Sequence, residues 1–91
     1  MRDEKHLREK AKAAIRSSRL PRERPHRIWG GQGGRDACAV CELRVTPEQL
    51  EFEIEFDSTG NNPGLDKYHL HIRCFAAWEF ERRNGGMDDS K

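Results

Sequence analysis

Two short pairs of ligand-type residues, Cys38-x2-Cys41 and His71-x2-Cys74, are the part of this chain best equipped for chemistry. Three thiolates and one imidazole complete a tetrahedral shell for Zn²⁺, a d¹⁰ ion that takes soft and borderline donors without a geometric preference of its own. Such a shell keeps no position for water, so the spacing predicts one structural zinc rather than a catalytic metal. Three thiolates around a divalent cation leave about one net negative charge for backbone N–H groups or a cation to offset. Arg73, inside the second pair, is placed to help. His69 is the competing nitrogen, at a wider spacing from Cys74. A redox role fits Cys38 and Cys41 less well, because a thioredoxin-like Cys-x2-Cys opens a helix after a strand, and this pair follows a glycine cluster and shortly precedes Pro47. Three cysteines cannot all pair as disulfides, and Met1-Arg2-Asp3-Glu4-Lys5 lacks the apolar stretch of a secretory signal. A reducing, cytoplasmic location is the expectation.

The elements that must bring these pairs together follow from periodicity. Leu50, Phe52, Ile54 and Phe56 alternate with Glu51, Glu53 and Glu55, which predicts a strand with one buried face and a solvated row of carboxylates. Residues 57–64, Asp-Ser-Thr-Gly-Asn-Asn-Pro-Gly, are turn chemistry, and Tyr68, Leu70 and Ile72 supply a returning strand. Phe75, Ala76, Ala77, Trp78 and Phe80 then follow at mostly helical spacing, with a stop expected near Asn84-Gly85-Gly86. Cys74 falls in the first turn of that helix, where free N–H groups favour a thiolate.

Knuckle, hairpin and helix, in that order, resemble a treble-clef zinc finger. The pattern Cys38-x2-Cys41-x29-His71-x2-Cys74 resembles the Cys-x2-Cys/His-x2-Cys finger of poly(ADP-ribose) polymerase type, and more loosely LIM-like and GATA-like fingers. The resemblance covers about Cys38 to Arg83 and implies an α+β treble clef with zinc on Cys38, Cys41, His71 and Cys74. The Trp-Gly-Gly lead-in also resembles small uncharacterised bacterial zinc-binding proteins, a likeness that implies no activity. In the polymerase family the fingers recognise DNA ends and breaks with surface outside the metal shell. Here residues 36–91 carry 6 Lys/Arg against 12 Asp/Glu, a surface that repels a phosphate backbone.

Residues 1–35 are the opposite, with 11 Lys/Arg against 4 Asp/Glu. Leu7, Ala11, Ala14 and Ile15 make a thin apolar stripe over Asp3–Ser17, a short helix that needs docking or a partner to persist. Ser17–Arg27, broken by Pro21 and Pro25, is expected to be extended and solvated. Trp29 is expected to cover the small core. Gly30, Gly31, Gly33 and Gly34 permit a flexible or close approach to the knuckle; a phosphate-binding loop would need Lys-Ser/Thr and a helix after it.

A chain of 91 residues with 34% hydrophobic and 36% charged content can form one small domain and needs a staple such as zinc. The expected division is a basic arm at 1–35, a zinc domain at 36–84 and a flexible tail at 85–91. It has no internal repeat and no apolar run long enough for a membrane span. These features point to a non-enzymatic zinc-binding module, regulatory or nucleic-acid-binding, in which Arg16, Arg19, Arg22, Arg24 and Arg27 meet phosphates. The arm could equally meet an acidic protein surface or fold back on its own acidic domain. A protein-interaction adaptor using the N-terminal helix and the acidic sheet face is the alternative. A metal-dependent hydrolase or nuclease built on His69, His71, Asn61 and Asn62 is weaker, because four ligands close the metal and no base with a partner is evident. Neither a membrane nor a small-molecule substrate is expected.

Overall fold

A computed structural model describes residues 2–57 and 65–89 of the chain. Helix α1, Arg2–Arg16, is followed by strands β1, Arg27–Gln32, β2, Leu50–Asp57, and β3, Leu65–His71, and then by helix α2, Ile72–Asp89. The strands form one antiparallel sheet in the order β1-β2-β3, which gives a small α+β fold of two helices and three strands. Residues 58–64 of the expected turn, with Asn61 and Asn62, lie outside the described residues.

Alternation along β2 gives the sheet an apolar and a polar face. On the apolar face Phe52 meets Phe75 of α2 with ring centroids 4.5 Å apart, and Phe56 meets Trp78 edge to face at 6.4 Å. Trp78 is fully buried, and its indole N–H donates to the Pro21 carbonyl at 3.0 Å, satisfying the one polar atom that a buried tryptophan carries. Leu20, Ile54 and Leu70 complete this core.

The thin stripe of α1 finds its cover on α2. Ala11 and Ala14 are buried, small enough for the two helices to approach closely. The Arg8 guanidinium bonds the buried Glu81 carboxylate at 3.1 Å and lies 4.2 Å from the centre of the Phe80 ring. The helix ends at Arg16, and just beyond it Ser18 adopts φ 65° while the Arg19 and Leu20 N–H groups both donate to the Ala14 carbonyl. The basic N-terminal segment therefore folds back on the acidic part of the chain.

The main departure from the sequence reading is β1. Residues 27–32 pair with β2 from Arg27↔Glu55 to Gln32↔Leu50, so the glutamate-bearing strand is the central one of three. Trp29, opposite Glu53, sits on the polar face and is 55% exposed; Trp78 fills the core instead. Leu20 and Pro25 are buried in the segment expected to be solvated. Glu51 and Glu55 are buried rather than solvated. The cause is the neighbour on each side: Arg27 Nε of β1 lies 2.9 Å from Glu55, and His69 Nδ1 of β3 lies 3.0 Å from Glu51. Helix α2 runs through Asn84-Gly85-Gly86 to Asp89, since a glycine weakens a helix by about 1 kcal/mol without forbidding it.

Candidate metal centre

The knuckle between β1 and β2 is built by backbone hydrogen bonds. At Gly33 a Cβ would fall against the Thr46 and Val45 carbonyls, so only glycine fits where the chain leaves β1. Arg35 N–H donates to Val45 O and Val45 N–H to Asp36 O, at 2.8 and 2.9 Å. The turn then closes with Cys38 N–H on Leu43 O and Glu42 N–H on Cys38 O. Glu42 takes φ 71°, a left-handed conformation that lets the chain double back directly after Cys41. The knuckle is tied to β3 by the Ala39 N–H on the His69 carbonyl at 2.9 Å. That bond sets Cys38 and Cys41 beside His71, the last residue of β3, and Cys74, in the first turn of α2.

The four ligand atoms of Cys38, Cys41, His71 and Cys74 lie within 4.8 Å of one another, a cluster that could hold a metal ion. His71 Nδ1 is 3.5 Å from Cys41 Sγ and 3.8 Å from Cys74 Sγ, while Nε2 is 3.3 Å from the Arg44 carbonyl. A carbonyl can only accept, so Nε2 carries the hydrogen and Nδ1 keeps its lone pair toward the sulfurs. This is how an outer hydrogen bond fixes the tautomer of a metal-binding imidazole. His69 stands apart from the sulfurs, with Nδ1 3.0 Å from Glu51 Oε2.

The thiols differ in their hold on protons. Cys38 is drawn down to about 4 because the Cys74 thiol donates to it, and backbone N–H groups, including Val40 at 3.4 Å, add to this against the effect of burial. Cys74 is pushed upward for the same reason, as the donor to Cys38, and burial pushes Cys41 upward. A cation bound by all three sulfurs would displace the protons that remain on them. Arg73 is exposed and lines a cleft beside the cluster.

The five arginines expected at phosphates are all exposed. Arg19 bonds the Ala39 carbonyl at 2.6 Å and pairs with Glu42 at 3.2 Å, and Arg27 holds Glu55 and Asp57. The cleft itself, of about 820 Å³, escaped the sequence reading: Leu7, Leu43, Leu50 and Ile72 line it, and Cys41 and His71 reach it from the cluster. Its signal was Leu43, an apolar residue outside the alternating patterns that is 69% exposed; Leu50, at the start of the β2 alternation, is 64% exposed.

No family model, curated protein or solved structure matches this chain. Among the described residues no helix is long and apolar enough to cross a membrane.

Proposed function

We propose that the protein is a non-enzymatic, zinc-stapled interaction module with the treble-clef arrangement of knuckle, hairpin and helix. Cys38, Cys41, Cys74 and His71 Nδ1 would hold the zinc, whose contribution is to fix the knuckle against β3 and α2. The donor set supports zinc, since three thiolates and an imidazole suit it better than an oxygen-loving ion. Four donors also fill the tetrahedron, which argues for a role in shape rather than catalysis.

The observation that carries the reading is the cleft over the cluster. Its walls are exposed Leu43, Leu50 and Ile72, and His6, Lys10 and Arg73 lie among its lining. Apolar walls with basic groups suit an acidic amphipathic segment of a partner protein. Ala11, Ala14 and Ile15 of the α1 stripe pack on the core, and Leu7 lines the cleft, which is the surface on offer. The test is a titration of labelled acidic amphipathic peptides into ¹⁵N-labelled protein. Shifts confined to Leu7, Leu43, Leu50 and Ile72, lost in Leu43→Asp, support it; peptides that bind Leu43→Asp equally well refute it.

A second reading rests on exposed Arg16, Arg22 and Arg24 together with exposed Lys5 and Lys12 of α1, a basic surface for nucleic-acid phosphates in the cytoplasm. Anisotropy against duplex and single-stranded nucleic acid at low and physiological salt decides it: a steep salt slope supports phosphate contact, and absence of binding at low salt removes it.

A further inference from the structure

We propose a second divalent-cation site on the polar face of the sheet, held by Glu51 and Glu53 of β2 and His69 of β3. Glu53 pairs directly with His69 across the ladder, and Glu51 lies two residues further along the same face. One ligand atom from each lies within 4.8 Å of the other two.

The Glu51 carboxylate points to a ligand. Its side chain is only 10% exposed, and Oε2 is 3.0 Å from His69 Nδ1, yet Oε1 is buried with no hydrogen-bond partner. A buried carboxylate oxygen deprived of both water and a donor is costly, and native proteins rarely leave one so. The Lys67 ammonium is drawn to Glu53, at 3.7 Å, and Glu55, at 4.0 Å, which leaves Glu51 Oε1 unmatched. A cation between Glu51, Glu53 and His69 would match it.

His69 is held as metal-binding imidazoles are. Its Nε2 lies 3.5 Å from Asp36 Oδ2, an outer carboxylate that orients the ring with Nδ1 turned toward Glu51. Two carboxylates and a neutral imidazole carry two negative charges, equal and opposite to a divalent ion. Oxygen donors with a single nitrogen select a hard or borderline ion, of which Mn²⁺ is the type, and not the softer preference of the thiolate cluster. Three protein donors leave positions for water, so this site is open where the other is closed.

The test uses the full chain with its thiolate cluster filled by one equivalent of zinc, which Mn²⁺ does not displace from sulfur. Loss of the free Mn²⁺ electron-paramagnetic-resonance signal on titration counts the ions bound. The expected result is saturable binding of about one Mn²⁺ per chain, weakened at least about tenfold by Glu51→Gln and by His69→Ala. Exposed Glu48→Gln leaves binding unchanged, and Lys67→Ala, which removes a competing cation, tightens it. Zinc content and circular dichroism of each variant confirm that the fold is intact. Absence of saturable binding up to about 1 mM, the range of weak oxygen-ligand sites, overturns the proposal. So does equal binding by Glu51→Gln and His69→Ala, which would make the Glu51–His69–Asp36 chain a polar network that needs no metal.

Discussion

Where β3 runs into α2, the chain is held by four short side chains that converge on a point; one turn further along α2, it is held by rings that pack face against edge. Cys38, Cys41, His71 and Cys74 bring ligand atoms together but bury little apolar area, whereas Phe52, Phe56, Phe75 and Trp78 form a continuous aromatic contact. The difference teaches how a small chain divides its stability. Structural zinc contributes about 10–16 kcal/mol in finger peptides, and a buried large aromatic about 3–5 kcal/mol. The metal end should therefore fail all at once and the aromatic end by degrees.

Cys74→Ser tests the larger contribution. It removes a donor and breaks the shell, and the expected outcome is loss of the cooperative thermal transition by circular dichroism, matched by the wild-type chain after chelation. A transition that survives chelation would shift the main burden to the rings. His71→Ala should weaken zinc retention against a competing chelator by more than about 100-fold, beyond the effect of outer-shell changes, while His69→Ala retains the metal. The reverse order would exchange the two histidines. Trp78→Ala should cost about 3–5 kcal/mol in the urea midpoint with zinc still bound. Trp78→Phe keeps a ring but leaves the Pro21 carbonyl without its donor, at about 1–3 kcal/mol. Gly33→Ala, pressing a methyl against two carbonyls, should cost about 1–3 kcal/mol, and Gly31→Ala, with open space around it, close to nothing.

The smallest expected effect is a pH dependence. The Arg27 guanidinium holds the Glu55 carboxyl below its ordinary value of 4.5. A depressed carboxyl stabilises the fold above its unfolded pKa, and that contribution is lost as the pH falls through the folded one. The advantage of wild type over Glu55→Gln in urea should accordingly be largest near neutrality and vanish in acid. An advantage that grows in acid would break the assignment.

Much of this was legible because it was local. Ligand spacing singled out the four cluster residues, the alternation Leu50 to Phe56 gave β2, and the stripe Leu7, Ala11, Ala14 and Ile15 gave α1. What escaped depends on distant partners. Arg27–Gln32 holds two large apolar residues and two glycines, too little pattern to announce a strand; its identity comes from Glu55, Ile54 and Glu53 across the ladder. The burial of Glu51 and Glu55 depends in turn on β1 and β3 flanking them, so one missed strand hid both. The cleft was invisible for a like reason: it exists only because α1 docks near the knuckle.

The bond from Arg8 to Glu81 spans 73 positions of sequence. On a ribosome adding about 5–20 residues per second, α1 emerges roughly 4 to 15 seconds before the surface of α2 that covers it. Throughout that interval an alanine-rich helix too short to persist in water has nothing to lean on. An element synthesised before its cover is thus settled only after it, and a nascent chain halted before Glu81 would present Leu7 and Ile15 to whatever chaperone waits at the exit.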